Sequence, residues 1–443
     1  MKIVYVGDNR HRQNFGCRAT STALSQIISE ENEIVGRIYG DYTNFDPGNQ
    51  FFYQHFPSFV YKRLGRKKES HREYIRQLFY AKNRIIKHGR YFFSNYDFIS
   101  YDFEKSIKNL KRMIPANPEL EAFDLDRYDF DALVVNGEGS FIFATPPWRE
   151  CLIEAMLMYW AEKKGKKVYY LNGMLSDDPY SKRNYKTIDI VAPIFERAEV
   201  VGVRERFSLE YAKENFPKAN IQYYPDALFS WYDLINDGFE VKNGKYFAGV
   251  NGATDEAYNE LDFSEKYILV SGSSSVMLAA DGDIKRIVSI YSKLTNELKE
   301  AFPEHKVYLV EVCEGDRFLR KVSEYTGAPL IASDTPIVAA GKILANADVF
   351  ISGRYHPGIL ASLGGTPCVF MSSNSHKTKS VQEVLDYGDI VEYDVLPDKE
   401  ERKKIVESAV KKVALGEALR ETIRLRCRKL SEMTKEQGKL FRE

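Results

Sequence analysis

Short apolar runs alternate with longer stretches of helical spacing along most of the chain. The runs KIVYVG, DALVVNGEGSFIF and KKVYYLNGM are typical of buried strands, and the segments NFGCRATSTALSQIISE and RECLIEAMLMYWAEKKG have the spacing of helices. A second series of the same kind begins at KYILVSGSS and ends in FISGRYHPGILASLGGTPCVF. Glycine-containing segments join strand to helix at several of these junctions. This alternation predicts parallel, doubly wound sheets, so we predict an α/β protein.

The length of the chain indicates more than one domain. At 443 residues the chain exceeds what one hydrophobic core usually serves. We therefore predict two Rossmann-like domains facing a cleft, an N-terminal one over residues 1–235 and a C-terminal one over residues 245–415. A charged helix over residues 416–443 follows, and it packs back either on the N-terminal domain or on the C-terminal one.

One segment departs from the alternation, and we interpret it as a basic, aromatic helical insertion at about residues 45–125. Its part 61–90 carries 11 Lys and Arg against 2 Glu. Apolar residues of this part fall near helical spacing, namely Ile75, Leu78, Phe79, Ile85 and Ile86. Two interpretations stay open. The segment is either a helix that packs on the first domain with solvated lysines, or a surface for peripheral contact with anionic lipid or a polyanionic acceptor.

Charge and cysteine content exclude several classes of protein. Lys plus Arg (63) balances Asp plus Glu (63), so we predict no nucleic-acid partner. No run of about 18 apolar residues indicates a membrane span, and we expect a cytoplasmic protein. The five cysteines include no C-x-x-C pair, which argues against a disulfide framework or a zinc site. No His, Asp and Glu cluster has metal-ligand spacing, so we predict neither a metal nor another cofactor.

The strongest candidate chemistry lies at residues 350–370. Arg354 and His356 flank Tyr355 at the end of the strand FISG, directly before an apolar helix. Ligands of α/β proteins bind at the carboxyl ends of strands, where a following helix offers free N–H groups to anions. An arginine and an imidazole there predict a phosphate or carboxylate site, although an isolated histidine is often structural. His376 and Lys377 follow the next strand, and they either line the same cleft or belong to a solvated loop.

Two further arginines occupy strand-to-helix junctions. Arg204 follows the run VVGV, so its guanidinium is expected to face the cleft; the alternative is a surface salt bridge. Arg18 lies in the first junction and is expected to face the cleft as well. Its neighbour Cys17 is interpreted as a small buried residue rather than a nucleophile.

The segment NGEGS (136–140) and the segment YYPDALFS are weaker signals. Gly137 and Gly139 form either a turn that needs a positive φ angle or a loop that lets a ligand approach the backbone, beside Ser140. The register of a full dinucleotide-binding motif is missing, because no glycine stands at its last position. Asp226 alone is typical of a turn.

Together these motifs resemble the polysaccharide pyruvyl transferase family. The resemblance rests on NFGCRATSTAL, LVVNGEGSF, GVRERFSLEYAKE, YYPDALFS and above all FISGRYHPGILASLGGTPCVFM. The last motif departs from the family at Tyr355, where leucine is usual, and in the PGI that follows the histidine. The resemblance implies a fold like that of the two-domain GT-B glycosyltransferases. It also implies transfer of a carboxyvinyl unit from phosphoenolpyruvate to two sugar hydroxyls, which forms a pyruvate ketal and releases phosphate.

This chemistry suggests roles for the candidate residues. We expect Arg204, Arg354 and His356 to hold the carboxylate and phosphate of the donor, with His356 acting either as a phosphate ligand or as the acid. Glu138 and Asp226 are candidates for the base or for binding the sugar. The acceptor is a surface polysaccharide, another glycan or a lipid-linked precursor. A GT-B nucleotide-sugar glycosyltransferase and a catalytically silent scaffold of glycan assembly remain alternatives.

Overall fold

The computed structural model describes residues 1–40, 98–116, 118–179, 181–238, 240–246 and 260–442. The basic segment 61–90, and with it most of the predicted insertion, lies outside the described residues. Both interpretations of that segment therefore stay predictions. Among the described residues, no helix combines the length and the apolar character that crossing a membrane requires.

The described chain forms two compact units. Unit 1 comprises Met1–Asn9, Ile28–Tyr223 and Phe441–Glu443, and unit 2 comprises Arg10–Ile27 and Tyr224–Leu440. The first helix thus belongs mainly to unit 2, although it follows the first strand of unit 1. The predicted boundary at residue 235 lies beyond Tyr223, where this division falls.

Unit 1 is built on a six-stranded parallel sheet with the order β2-β1-β3-β5-β7-β8. Its strands are β1 (Lys2–Asp8), β2 (Glu33–Tyr39), β3 (Ala132–Ile142), β5 (Lys167–Ser176), β7 (Val200–Val203) and β8 (Ile221–Tyr223), and β4 (Ala144–Thr145) with β6 (Lys182–Arg183) forms a short antiparallel pair. The chain adds β2 on one side of β1 and β3 on the other side, so the order of strands reverses between β1 and β3. The carboxyl ends of these two strands therefore form a topological switch point.

Helices follow most strands of this part of the chain, and all of them except α1 belong to unit 1. Helix α1 (Phe15–Ser29) links β1 to β2, and the others of this part of the chain are α2 (Phe103–Met113), α3 (Arg149–Lys163), α4 (Tyr185–Arg197) and α5 (Arg206–Asn215). Helix α3 is buried almost throughout, as its run of apolar residues predicts. Helix α2 begins where the Asp102 side chain accepts a hydrogen bond from the Lys105 N–H at 3.0 Å.

Unit 2 repeats the plan on a five-stranded parallel sheet with the order β11-β10-β9-β12-β13. The strands are β9 (Tyr267–Ser273), β10 (Lys306–Val310), β11 (Leu330–Ile331), β12 (Phe350–Gly353) and β13 (Cys368–Phe370). The helices are α6 (Tyr232–Asn236), α7 (Val276–Ala279), α8 (Ile284–Ala301), α9 (Phe318–Thr326), α10 (Ile337–Ala345), α11 (Tyr355–Leu363), α12 (Lys377–Val384), α13 (Lys399–Ala414) and α14 (Gly416–Lys435). The predicted α/β class is confirmed.

The C-terminal helix lies mainly in unit 2. In α14, the Cys427 thiol contacts the Ser362 carbonyl at 3.2 Å, and Thr434 Oγ1 donates to the Pro225 carbonyl at 3.2 Å. Only the last residues of the chain join unit 1, where the Phe441 ring lies 4.8 Å from the Tyr169 ring. Helix α14 therefore supports the segment that carries Asp226.

Candidate functional site

The junction of β12 and α11 positions the predicted anion motif. Strand β12 is buried along its whole length and pairs with β9, with Gly353 opposite Ser273. A Cβ atom at Gly353 would lie 2.3 Å from the Ser273 Cβ, so glycine is required at this strand end. Arg354 then adopts an extended conformation and caps the nine-residue helix α11. The motif thus lies at the switch point of the unit 2 sheet, where β9 and β12 end.

Arg354 forms an ion pair inside unit 2. Its Nη2 donates to Asp316 Oδ1 at 2.6 Å, and the Asp316 side chain is fully buried while that of Arg354 is 14% exposed. Burial favours the neutral guanidinium, but the charge of Asp316, its hydrogen bond and smaller contributions of other neighbours together outweigh burial and raise the pKa of Arg354. Arg354 therefore remains charged, and Asp316 compensates much of that charge.

His356 is paired with a buried carboxylate as well. Its Nε2 lies 3.2 Å from Asp226 Oδ2, and the other oxygen of Asp226 accepts hydrogen bonds from Thr20 Oγ1 and the Leu228 N–H, both at 2.9 Å. The Asp226 side chain is fully buried. Because an ionised carboxylate only accepts hydrogen bonds, Nε2 donates and Nδ1 is the basic nitrogen of the neutral ring. Asp226 thus orients His356. The sequence alone indicated only a turn at Asp226 and not this contact.

The N-terminal turn of α1 meets the same imidazole. A Cβ atom at Gly16 would lie 2.5 Å from His356 Nδ1 and 2.9 Å from its Cβ, so glycine allows the helix start and the ring to approach. The turn is held in place by backbone contact, since the Phe15 N–H donates to the Val312 carbonyl at 3.0 Å. The first turn of α1 therefore lies against His356, which is itself in the first turn of α11, and helix N-termini favour negative charge.

The other predicted residues of unit 2 are Arg18, Tyr355, His376 and Lys377. Arg18 donates from Nη2 to the Ser333 carbonyl at 2.6 Å, and burial lowers the pKa of its guanidinium. The Tyr355 ring lies 5.0 Å from the His356 ring in an edge-on arrangement. His376 caps helix α12 after β13, and Lys377 is the first residue of that helix. Both positions lie beyond the strand end neighbouring Arg354, as the sequence predicted.

In unit 1, the predicted glycine loop NGEGS is part of strand β3. The pairing of β3 with β5 shifts register between Glu138 and Phe141, and Glu138 itself has a left-handed φ of 34°. The interpretation of NGEGS as a turn that needs glycine at a positive φ angle is therefore wrong. Gly137 serves close packing instead, since a Cβ atom there would lie 2.3 Å from the hydroxyl of Tyr170.

Amide side chains surround Glu138 at the switch point of the unit 1 sheet. Asn9 Nδ2 donates to Glu138 Oε1 at 3.0 Å and Asn136 Nδ2 donates to the same oxygen at 3.2 Å. Asn172 Nδ2 donates to Asn136 Oδ1 at 3.1 Å. Asn172 has a left-handed φ of 55°, so two neighbouring non-glycine residues are held in a rarely populated backbone conformation. Such strain is often found at functional sites.

Arg204 lies at the end of β7, as predicted, and is 1% exposed, so it is not the surface salt-bridge residue of the alternative. Its backbone N–H donates to the Gly173 carbonyl at 3.0 Å. Glu205 directly after it caps α5 by accepting from the Ser208 N–H at 2.8 Å. The orientation of the guanidinium toward the cleft stays a prediction. Ser140 is buried too, and its hydroxyl contacts Glu154 Oε2 at 2.6 Å.

Sequence reasoning missed the residues that orient the predicted ones. These are Gly16, Thr20 and Asp316 in unit 2 and Asn9, Asn136 and Asn172 in unit 1. Asp316 had a usable signal, because EGD follows the strand KVYLVEV at the same sheet edge as Arg354. Among the described residues, no cluster of three or more His, Cys, Asp or Glu side chains is arranged to hold a metal ion.

Comparison with solved structures identifies the fold. The chain is similar to the UDP-GlcNAc 2-epimerase of Neisseria meningitidis bound to UDP-GlcNAc, with a TM-score of 0.51, 11% identity and coverage of 99% of this chain and 98% of that chain. A UDP-GlcNAc 2-epimerase from Methanocaldococcus jannaschii matches with a TM-score of 0.47, 12% identity and coverage of 92% of both chains. At 11% identity, the likeness to the Neisseria enzyme establishes the fold alone, and that fold is of the predicted GT-B type.

Sequence comparison identifies the family. No curated protein matches the chain significantly. The sequence model of the polysaccharide pyruvyl transferases matches residues 18–375, a span that includes Arg18, Glu138, Asp226 and the motif at Arg354 and His356. The chain therefore belongs to the polysaccharide pyruvyl transferase family and is a transferase.

Proposed function

We propose that this protein transfers the carboxyvinyl unit of phosphoenolpyruvate to two hydroxyls of a sugar in a polysaccharide or its lipid-linked precursor, forming a pyruvate ketal and releasing phosphate. Phosphoenolpyruvate carries a carboxylate and a phosphate on one small frame. A site for it needs several positive groups in a place sheltered from water.

The observation that carries this proposal is the arrangement around His356. The first turn of α1 lies against its ring, His356 itself lies in the first turn of α11, and Arg354 precedes it at the strand end. Helix N-termini and a guanidinium all favour bound anions. Their coincidence at one imidazole supports a small, multiply charged donor.

The ketal reaction requires balanced proton transfers. The methylene carbon of phosphoenolpyruvate takes up one proton and becomes a methyl group, while two sugar hydroxyls each lose a proton as they bond to the neighbouring carbon. The bond from that carbon to the phosphate oxygen breaks, and phosphate leaves with the second hydroxyl proton. We assign His356 one of two roles, both through Nδ1, since Asp226 holds Nε2. It either donates the proton to the methylene carbon or neutralises the charge of the departing phosphate.

Asp226 has a supporting role in this proposal. It is fully buried and accepts hydrogen bonds at both oxygens, so it keeps the ring orientation rather than acting on the sugar. Glu138 is then the better candidate to bind or deprotonate a sugar hydroxyl. Its carboxylate is surrounded by the amides of Asn9 and Asn136, and such groups are common partners of hydroxyls.

The proposal is tested by release of inorganic phosphate from phosphoenolpyruvate across a panel of glycan acceptors. We expect release that depends on both the protein and a particular acceptor. A parallel assay supplies UDP-GlcNAc and other nucleotide sugars to the same acceptors. Turnover of a nucleotide sugar without any use of phosphoenolpyruvate would replace the proposal by a glycosyltransferase function. Absence of turnover in both assays would favour the scaffold alternative.

A further inference from the structure

The ion pair of Arg354 and Asp316 leaves hydrogen-bonding capacity unused. The two side chains share one hydrogen bond, from Nη2 to Oδ1 at 2.6 Å, although an arginine and a carboxylate can form two. Within the described part of the chain, neither Arg354 Nε nor Asp316 Oδ2 has a hydrogen-bond partner, and both atoms are buried. Buried polar atoms without partners are costly and rare, so this pair is set up for something other than stability.

Two glycines allow this single-pronged geometry. A Cβ atom at Gly272 would lie 2.1 Å from Asp316 Oδ1, and one at Gly315 would lie 3.2 Å from Arg354 Nη2. The backbone therefore approaches the pair closely at the end of β9 and at the turn Glu314–Asp316. The carboxylate contacts the guanidinium at Nη2 alone and leaves Nε, on the same edge, unused.

We propose that Asp316 is a positioning residue that holds Arg354 at Nη2, leaves the other N–H groups of the guanidinium to the anionic substrate, and weakens anion binding enough for phosphate to leave. The inference rests on the proposed function, because the anion concerned is phosphoenolpyruvate and its product. A charged arginine at the start of helix α11 would bind phosphate tightly, and the negative charge of Asp316 opposes that attraction. Asp316 thus lowers the affinity for phosphate and thereby raises the rate at which the product leaves.

The substitution Asp316→Asn removes the opposing charge while keeping the shape of the side chain. We expect inorganic phosphate to bind roughly tenfold more tightly, measured by calorimetry, because a unit charge a few ångströms away acts strongly in a partly buried site. KM for phosphoenolpyruvate falls as well, while kcat falls because Arg354 is less well oriented and product leaves slowly. A purely structural salt bridge would instead give weaker phosphate binding together with a lower Tm.

Two further variants separate charge from position. Gly315→Ala keeps the charge of Asp316 but pushes against Arg354, so kcat falls and phosphate affinity does not rise. Asp348→Asn is the control for charge, because it removes the same charge at the other end of β12, where Asp348 pairs with His305 at 2.9 Å. We expect less than a twofold change in phosphate affinity for this control.

The phosphate measurement is independent of the proposed reaction. If Asp316→Asn binds phosphate no more tightly than the unaltered protein, or if Asp348→Asn gives an equal gain, the inference is wrong. If the unaltered protein binds no phosphate at millimolar concentration, the anion site itself is wrong. If phosphate binds as expected but no acceptor supports its release from phosphoenolpyruvate, the proposed reaction fails while the role of Asp316 stands.

Discussion

The imidazole of His356 lies 3.2 Å from the carboxylate of Asp226, a residue 130 positions earlier in the chain. Asp226 is fully buried and is held by Thr20 from helix α1 and by the backbone at Leu228. The segment at Thr20 and the segment from Asp226 to Leu228 therefore together fix the ring of His356, which α11 carries. Such precise support is what an acid–base group requires, because a small displacement of the reacting atoms lowers the rate strongly.

Asp226→Asn tests this support. The amide presents an N–H to Nε2 and so reverses which ring nitrogen carries the proton. We expect kcat to fall by about 10²- to 10³-fold, the range typical of disturbed acid–base catalysis, with a smaller change in KM for phosphoenolpyruvate. His356→Ala is expected to cost at least as much. A kcat in Asp226→Asn equal to that of the unaltered protein would show that the pair is not used.

Gly16→Ala tests the contact between α1 and the ring. The added Cβ atom would lie 2.5 Å from His356 Nδ1, so the ring or the helix start must move. We expect activity to fall by about tenfold or more, while Tm changes little, because alanine is otherwise favourable in a helix. Gly238→Ala is the matched control, since a Cβ atom there meets nothing within 4 Å. Equal activities of the two variants would contradict the contact.

Arg354→Lys keeps the charge of the anion site but loses its planar group. The ammonium group of lysine lacks the planar set of N–H groups with which a guanidinium contacts Asp316 and a substrate oxygen at once. Loss of one charge-assisted contact in a sheltered site costs on the order of 2–4 kcal/mol, so kcat/KM is expected to fall by about 30- to 1,000-fold. Thermal unfolding accompanies the kinetics. Lost activity with an equally large loss of Tm would mean that Arg354 only holds the strand end together.

Asn172→Gly separates strain from function in unit 1. Glycine accepts the left-handed φ of 55° without strain, so Tm is expected to stay the same or to rise slightly. The hydrogen bond to Asn136 is lost, which loosens the support of Glu138. We expect KM for the acceptor to rise by about five- to tenfold, in keeping with one lost hydrogen bond.

The control for this variant is Asp386→Gly. Asp386 also has a left-handed φ, of 59°, and lies exposed in unit 2. It receives the same relief of backbone strain without any change near Glu138. If both variants leave acceptor kinetics unchanged, the amide cluster has only a structural role.

The order of strands and helices was predictable because each apolar run and each helical stretch carries a local signal. Residues 350–353 form the strand and 355–363 the helix that their pattern predicts. The anion motif was predictable for the same reason, since the sheet edge at which a strand ends follows from its direction.

The partners of the motif were not predictable from local pattern. Thr20, Asp226 and His356 lie far apart in sequence, and nothing in each segment alone indicates that they meet. The prediction of Arg204 at a strand end is confirmed, but its burial was not predictable, because burial depends on residues that are distant in the sequence. Glu138 was expected in a turn, and it lies in a strand because β5 pairs alongside.

The most direct test of the account follows the carbon skeleton of the donor. Phosphoenolpyruvate labelled with ¹³C at carbon 2 is incubated in D₂O with the protein and the acceptor that the panel identifies, and the product is analysed by NMR and mass spectrometry. The account predicts a labelled carbon bound to two sugar oxygens, a carboxylate and a methyl group with one deuterium, formed in equal amount with phosphate. A product that keeps the methylene group, or an acceptor modified while phosphoenolpyruvate remains intact, would contradict it.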